Sequence, residues 1–200
     1  MRYLIGVDEA GRGPIAGPVS VGIVVVPTSF DFRLIAGVKD SKQCTEKERE
    51  AWYEEAKLLM RRGRLRFSTA LIGSPHIDRY GINSAVRLGI RTILSRLAVK
   101  PSQCEVRLDG LLHAPKEFFF QKTIIRGDQT EPVISLASIV AKVRRDRLMK
   151  RLAEEYPLYG FERHKGYGTE LHYERIKKHG LCALHRRSYV KSFLLAETVV

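Results

Sequence analysis

The sequence has few cysteines and no long apolar run. Its 200 residues include three cysteines, Cys44, Cys104 and Cys182, which lie far apart and form no CxxC pair. This spacing argues against a disulfide framework or a zinc site and is typical of a protein of the reducing cytosol. No apolar run approaches the roughly 18 residues of a membrane span, and the N-terminus is too short and too acidic for a signal peptide. We therefore expect a cytoplasmic protein without a membrane segment.

The chain has fewer acidic than basic residues. The chain holds 35 Lys and Arg against 22 Asp and Glu, a net charge of +13 at pH 7. Residues 142–191 alone hold 14 basic and 6 acidic residues, a surplus of +8 in one quarter of the chain. Such a surplus favours a polyanionic partner. Charge alone leaves two alternatives open for this segment, a nucleic-acid-binding face or a solvated helical surface.

The order of apolar stretches predicts a mixed α/β fold. With 44% hydrophobic and 28% charged residues, the composition is that of a globular protein. Apolar, β-branched or alternating segments predict strands over 2–7, 19–26, 64–72, 104–109 and 119–126. Helices are predicted from the capping box of Thr45 and Glu48 to about residue 62, and over 83–98, 133–154, 169–179 and 187–195. This alternation indicates a mixed sheet covered by helices.

Three acids follow apolar strands, where a carboxylate is unexpected. Asp8 and Glu9 end the first predicted strand and run into a Gly- and Pro-rich loop, and Asp109 precedes Gly110 at another strand end. Each of these acids taken alone is compatible with a turn-forming role. Because side chains alternate along a strand, Asp8 and Glu9 can serve one site only where the chain turns.

A fourth acid falls on the apolar face of the long predicted helix. Asp146 lies three residues after Val143 and seven after Ile139, which helical spacing places on the buried side. A buried carboxylate needs a metal or a cationic partner, for which Lys142, one turn earlier, is the alternative. Asp128, directly after Gly127, is a fifth candidate, whose loop context favours a helix cap or a supporting role.

These acids together predict an acidic pocket within a basic protein. Oxygen ligands without a Cys or His cluster suit Mg²⁺ or Mn²⁺. A pair of such ions can position and activate water and stabilise the leaving oxygen of a phosphodiester. The residues alone therefore indicate a metal-dependent nuclease or strand transferase.

An ordered set of motifs resembles the type 2 ribonuclease H family, ribonuclease HII. The set begins with Asp8-Glu9-Ala10-Gly11-Arg12-Gly13-Pro14 and continues through Asp40-Ser41-Lys42, Leu108-Asp109-Gly110 and Ala137-Ser138-Ile139-Val140-Ala141-Lys142-Val143 with Arg145-Asp146. It closes with His164-Lys165-Gly166-Tyr167-Gly168-Thr169 and His185-Arg186. The matches are collinear over almost the whole chain. The Gly-Arg-Gly loop and the absence of a long N-terminal extension favour this family over type 3 relatives.

The resemblance implies a fold, a site and an activity. The fold would be an RNase H-like five-stranded mixed sheet flanked by helices, with residues 1–156 as the catalytic domain and 157–200 as a C-terminal helical nucleic-acid-binding extension. The implied catalytic and metal-binding residues are Asp8, Glu9, Asp109 and Asp146, with Mg²⁺ or Mn²⁺ as cofactor. The implied enzyme cuts the RNA strand of RNA–DNA hybrids and nicks duplex DNA 5′ of an embedded ribonucleotide, leaving a 3′-hydroxyl and a 5′-phosphate.

The same resemblance assigns the substrate contacts. Gly11, Arg12 and Gly13 would sense the 2′-hydroxyl, since glycines allow close backbone approach and this hydroxyl distinguishes RNA from DNA. Tyr167 would pack on the next deoxyribose. Lys42 would contact a phosphate, with Ser41 beside it. A monomer is expected, and the apolar tail over 192–195 leaves recruitment to a sliding clamp open.

The sequence leaves more than one interpretation open for some residues and for the function. Phe118-Phe119-Phe120 is interpreted as leading into a buried strand. The C-terminal histidines have spacings that fit no common zinc site, which favours phosphate contacts or packing; they are His164, His172, His179 and His185. The alternative functions are another RNase H-like nuclease, such as a junction resolvase or integrase, and a non-catalytic nucleic-acid-binding protein.

Overall fold

A five-stranded mixed sheet forms the centre of the fold. The computed structural model describes residues 2–191. The strands are β1 (Tyr3–Ala10), β2 (Val19–Pro27), β3 (Arg66–Ile72), β4 (Cys104–Asp109) and β5 (Gln121–Ile124), in the order β3-β2-β1-β4-β5. β1 pairs antiparallel with β2 and parallel with β4, β2 pairs antiparallel with β3, and β4 pairs parallel with β5. The mixed sheet flanked by helices confirms the predicted fold class.

Helices cover both faces of this sheet. They are α1 (Glu46–Arg61), α2 (Ser74–Tyr80), α3 (Ile82–Arg96), α4 (Gly127–Thr130), α5 (Pro132–Glu155), α6 (Phe161–His164) and α7 (Glu170–His179). The capping box of Thr45 and Glu48 begins α1 as predicted. The short α2 was not predicted as a separate element. Among residues 2–191, no helix combines the length and apolar composition that crossing a membrane requires.

Successive side chains of β1 point to opposite faces of the sheet and so belong to two different hydrophobic cores. Ile5 and Val7 belong to the core shared with α3, whereas Leu4 belongs to the core shared with α1 and α5. By the same period of two, Asp8 lies on the α5 face and Glu9 on the α3 face. β1 runs on to Ala10, three residues beyond its predicted end, so both acids lie within the paired strand.

Two strand glycines let α5 lie directly against the sheet. A Cβ added at Gly6 would lie 2.3 Å from the carbonyl oxygen of Val133, and one at Gly22 would lie 2.3 Å from that of Ala137. Any larger residue would push α5 outward. Because Gly22 is the register partner of Asp8, this close packing brings the middle of α5 next to the acidic end of β1.

The prediction of a buried strand after the Phe run was wrong. β5 is an edge strand of four residues, and Phe119 and Phe120 are 80% and 50% exposed, while only Phe118 is buried. The physical reason is the strand order, which leaves β5 with a single neighbour.

After α5 the chain returns to the loop between β1 and β2. Ala16 packs with Met149, Ala153, Tyr159 and Phe161 in one apolar cluster. The proposed division at residue 156 falls at the end of α5 and stays a prediction.

Candidate active site

Three carboxylates meet at one end of the sheet. Ligand oxygens of Asp8, Asp109 and Asp128 all lie within 4.8 Å of one another. Asp8 and Asp109 are neighbours because β1 and β4 are adjacent parallel strands with Val7 opposite Leu108. Asp128 joins them from α4, the short helix after β5, where its backbone N–H donates to Oδ1 of Asp109 at 3.2 Å. Residues distant in the sequence thus form one acidic group.

Mutual repulsion and burial act on this group. The pKa of Asp8 is raised well above its usual value, by burial first and then by the charges of Glu9 and Asp109. The pKa of Asp128 is raised by burial and by Asp109. The raised pKa values of Asp8 and Asp128 give this group the electrostatic character of a cation site.

Glu9 faces the other side of the strand and borders a cleft. One carboxylate oxygen, Oε1, lies 3.4 Å from Nη1 of Arg12, while Oε2 is buried and has no hydrogen-bond partner within residues 2–191. Burial raises the pKa of Glu9, and Arg12 offsets this only in part. Glu9 and Asp109 line a cleft of about 410 Å³ together with Arg12, Asn83 and Arg87. Oε2 of Glu9 is therefore a buried acceptor, next to the cleft, whose hydrogen-bonding capacity is unsatisfied.

Asp146 is buried as its helical spacing predicted, but its charge is paired. Nζ of Lys142 lies 2.8 Å from one oxygen of Asp146, and Nη2 of Arg49 lies 3.9 Å from the other. This is the ion pair considered above as the alternative to metal binding. Asp146 is not in the group of three carboxylates, and Asp128 is.

The sequence carried a weak signal for Asp128. β4 and β5 are parallel, so the turns after both strands lie at the same edge of the sheet. Gly127, which follows the turn after β5, lets the backbone pack closely against α5, because a Cβ there would lie 2.7 Å from Cδ1 of Ile134. Recognising β5 as parallel to β4 would have placed Asp128 beside Asp109.

The Gly-Arg-Gly loop and Tyr167 are neighbours. A Cβ on Gly13 would lie 4.0 Å from Cε1 of Tyr167, whose side chain is partly exposed. Two cations flank the ring, with Nζ of Lys142 at 6.0 Å and Cζ of Arg145 at 5.8 Å from its centroid. Arg12 contacts Glu9 and Asn83. The Gly-Arg-Gly loop and Tyr167, both assigned to substrate by resemblance, are therefore brought together.

Ser41 and Lys42 belong to a loop next to the acidic group. Ser41 is buried and accepts a hydrogen bond from Oγ of Ser138 at 2.6 Å, which ties its loop to α5. The side chain of Lys42 is exposed, with Nζ 3.7 Å from Oδ2 of Asp128. Lys42 is thus an exposed cation that pairs with Asp128 at the rim of the acidic group.

Three of the C-terminal histidines pack as a buried cluster. The rings of His164 and His172 stack with centroids 4.3 Å apart, and Nε2 of His172 lies 3.1 Å from Nε2 of His185. Burial lowers the pKa of His172 and of His185 to about 4. His172 and His185 are hydrogen-bonded to each other, and His164 stacks on His172 and bonds to backbone groups of Tyr159 and Gly166. These buried contacts fit the packing alternative.

The chain is similar to known proteins over nearly its full length. The family model described as "Ribonuclease HII" matches residues 5–192. A ribonuclease HII of Caldicellulosiruptor bescii is 42% identical over 193 residues, which cover 96% of this chain and 89% of the relative. Among solved structures, ribonuclease H2 of Pyrococcus horikoshii has a TM-score of 0.72 at 28% identity, with 98% of each chain covered. A ribonuclease HII of Archaeoglobus fulgidus, solved in complex with PCNA, has a TM-score of 0.73 at 26% identity, with 92% and 93% covered.

Proposed function

The chain belongs to the ribonuclease HII family, and we propose that its catalytic metal site consists of four acids. These are Asp8, Glu9, Asp109 and Asp128. As a family member the protein is a metal-dependent endoribonuclease that hydrolyses the RNA strand of RNA–DNA hybrids and nicks duplex DNA 5′ of embedded ribonucleotides, leaving 3′-hydroxyl and 5′-phosphate ends. The observation that carries the site assignment is the meeting of three carboxylates within 4.8 Å.

The residues present fit a hard divalent cation. The three carboxylates offer only oxygen ligands, and the buried, unpartnered Oε2 of Glu9 adds another at the same strand end. Such a donor set suits Mg²⁺ or Mn²⁺. A bound divalent cation lowers the pKa of water and offsets charge that develops at a phosphodiester. We propose Mg²⁺ or Mn²⁺ as the cofactor on this basis.

We assign Asp146 a supporting role in place of the metal-binding role that resemblance implied. Its two oxygens bind Lys142 and Arg49, so it holds Lys142 beside Tyr167 and joins α5 to α1. The Lys142 side chain is mostly buried, which makes its placement sensitive to the loss of this partner.

The neighbouring loop supplies recognition of the sugar. The Gly-Arg-Gly backbone lies beside the acids and can approach a ribose closely, because Gly11 and Gly13 have no side chains. Tyr167, next to Gly13, presents an exposed ring face for the following deoxyribose. Lys42, on the far side of Asp128, is placed to contact a backbone phosphate. These residues bind and orient an RNA-to-DNA junction across the acids.

The test is cleavage of a labelled DNA duplex that carries one ribonucleotide. We expect a metal-dependent nick on its 5′ side with Mg²⁺ or Mn²⁺, none with EDTA, and none in an all-DNA duplex. Asp109→Asn should abolish cleavage and hardly weaken binding of the duplex. Cleavage of the all-DNA duplex would favour a junction resolvase or integrase instead. Absence of cleavage by folded protein that still binds would favour a non-catalytic binding protein.

Monomeric state and cytoplasmic location stay predictions. The tail over 192–195, considered above for clamp recruitment, lies outside the described residues. The PCNA complex concerns the Archaeoglobus fulgidus relative.

A further inference from the structure

Two arginines are completely buried behind the Gly-Arg-Gly loop. Arg145 on α5 and Arg186 after α7 both have 0% exposure. Neither forms a salt bridge with a carboxylate in the described part of the chain, and Nη1 of Arg145 has no hydrogen-bond partner there. Burying two unpaired cations is expensive and calls for compensation by other polar groups.

That compensation comes from the carbonyl groups of one loop. The Arg186 guanidinium donates to the carbonyl oxygens of Gly11, Arg12 and Gly17 at 2.7, 2.8 and 2.9 Å. The Arg145 guanidinium donates to those of Pro18 and Ala16 at 2.9 and 3.3 Å. Five carbonyl groups between residues 11 and 18 are therefore directed inward.

The packing beneath the loop allows little adjustment. Gly11 has a φ of +94°, and a Cβ added there would lie 2.1 Å from Nε of Arg145. Burial and the nearby charge of Arg186 lower the pKa of Arg145 to about 10, which still leaves it protonated at neutral pH. The two guanidinium groups thus act as fixed hydrogen-bond donors, and their positions determine the conformation of the loop backbone.

Hydrogen bonds also join this loop to the segment that carries Tyr167. The carbonyl oxygen of Gly166 accepts hydrogen bonds from the backbone N–H groups of Ile15 and Ala16, at 2.9 and 3.1 Å. Tyr167 follows directly, with its ring 5.8 Å from the Arg145 guanidinium. The loop and the tyrosine are therefore held relative to one another through Arg145 and Gly166.

We propose that Arg145 and Arg186 are positioning residues that set the preference for a ribonucleotide. Arg186 binds the carbonyl groups of Gly11 and Arg12 from behind, and Arg145 binds those of Ala16 and Pro18. Together they fix the outer side of the loop in the orientation that meets a 2′-hydroxyl. Neither arginine contacts the substrate or the acids. The inference rests on the proposed function, in which this loop reads the sugar.

The test measures discrimination in binding, separately from cleavage. In an Asp109→Asn background with Mg²⁺, dissociation constants are measured for a duplex with one ribonucleotide and for the same duplex in all-DNA form. Arg186→Lys and Arg145→Lys keep the charge but lose the two-pronged donor geometry. Arg147→Lys is the matched control, because Arg147 lies on the same helix but points outward to Glu50 and Glu54. Circular dichroism and thermal unfolding establish that each variant is folded.

We expect the ratio of the two dissociation constants to fall about tenfold in each lysine variant of a buried arginine, the equivalent of one hydrogen bond to the sugar. Arg147→Lys should leave the ratio unchanged. If the parent binds both duplexes equally, the proposed function of the loop fails. If the parent discriminates and both folded variants keep its ratio, the positioning role is overturned. Failure of both lysine variants to fold would also overturn it, since the arginines would then support the whole fold.

Discussion

The backbone N–H of Asp128 donates a hydrogen bond to Oδ1 of Asp109, at 3.2 Å. This contact joins the turn after β5 to the end of β4 and brings a third carboxylate into the acidic group. It also leaves the side chain of Asp128 directed at the group while its backbone supports a neighbour. In the metal site proposed above, Asp128 therefore combines an orienting role with that of a ligand.

The first prediction separates Asp128 from Asp146. Asp128→Asn should lower cleavage by at least about 100-fold, because removing a metal ligand or its oriented partner costs on this order. Asp146→Asn should cost less than about tenfold, because Asp146 binds Lys142 and Arg49 and not the acidic group. Single-turnover cleavage of the one-ribonucleotide duplex measures both effects.

Thermal shift on adding Mn²⁺ provides the second readout for this pair. Wild type and Asp146→Asn should gain stability with Mn²⁺, and Asp128→Asn should gain less, since only native-state metal binding stabilises. The reverse pattern would return Asp146 to the metal site and remove Asp128 from it.

The second prediction concerns stability without metal. Burial, Glu9 and Asp109 raise the pKa of Asp8, so its ionised form opposes folding at neutral pH. Asp8→Asn should therefore increase the free energy of unfolding in EDTA by about 1–2 kcal/mol, while abolishing cleavage. Urea denaturation at pH 7.5 in EDTA measures the gain. Asp31→Asn is the control, because the pKa of the exposed Asp31 is lowered by Arg33 and its loss should not stabilise. An Asp8→Asn protein less stable than wild type in EDTA would contradict the repulsion.

Local patterns predicted the features that depend on local sequence. The strand ends that carry Asp8 and Asp109 and the buried position of Asp146 follow from periods of two and 3.6 residues. Of the two contacts of Asp146, the ion pair with Lys142 was one of the alternatives given by the sequence. The contact with Arg49 does not follow from local patterns, because Arg49 lies on another helix 97 residues away in sequence. The burial of Ser41 likewise depends on Ser138, at the same separation of 97 residues.

The position of Asp128 next to Asp109 could not be predicted from local sequence patterns. Its strand, β5, has only four residues and lies at the sheet edge, so neither length nor alternation identifies its direction. Only the parallel pairing with β4 places the following turn beside Asp109. The position of this acid is a consequence of topology, which no short window of sequence contains.

The third prediction follows from the buried histidines. The pKa values of His172 and His185 are lowered to about 4, from 6.5 in an unfolded chain, chiefly by burial. Between pH 4 and 6.5 the unfolded state binds more protons than the native state. The contribution of these histidines to the free energy of unfolding is therefore fully present above pH 6.5 and is lost as the pH drops towards 4. At pH 5 we expect a loss of about 2 kcal/mol from each histidine relative to pH 7.5, or about 4 kcal/mol from the pair.

A double variant isolates that contribution from the acids, whose raised pKa values act in the opposite direction. His172→Gln combined with His185→Gln should show a smaller loss of stability between pH 7.5 and 5 than wild type, although it should be less stable at both. Urea denaturation in EDTA at each pH gives the difference. An equal pH dependence in the two proteins would mean that the histidines are protonated in the folded state or contribute nothing.

The fourth prediction compares two glycines that share a backbone conformation. Gly166 has a φ of +84° and Gly37 a φ of +86°, so alanine at either position carries a similar strain of about 1 kcal/mol. Their surroundings differ, because a Cβ at Gly37 meets nothing within 4 Å, whereas one at Gly166 would lie 2.3 Å from the carbonyl oxygen of Ala16. Gly166→Ala must therefore displace either the Gly-Arg-Gly loop or Tyr167.

We expect Gly37→Ala to lose about 1 kcal/mol of stability and to cleave at the wild-type rate. Gly166→Ala should lose at least about 3 kcal/mol, and its folded fraction should cleave the one-ribonucleotide duplex more slowly than wild type. Urea denaturation gives the stability, and cleavage rates normalised to folded protein give the activity. Because the two substitutions add the same methyl group at the same φ, any difference reports the contact between Gly166 and Ala16. Equal effects on stability and rate would show that this contact can relax without moving the loop, and would remove the link between the Tyr167 segment and sugar recognition.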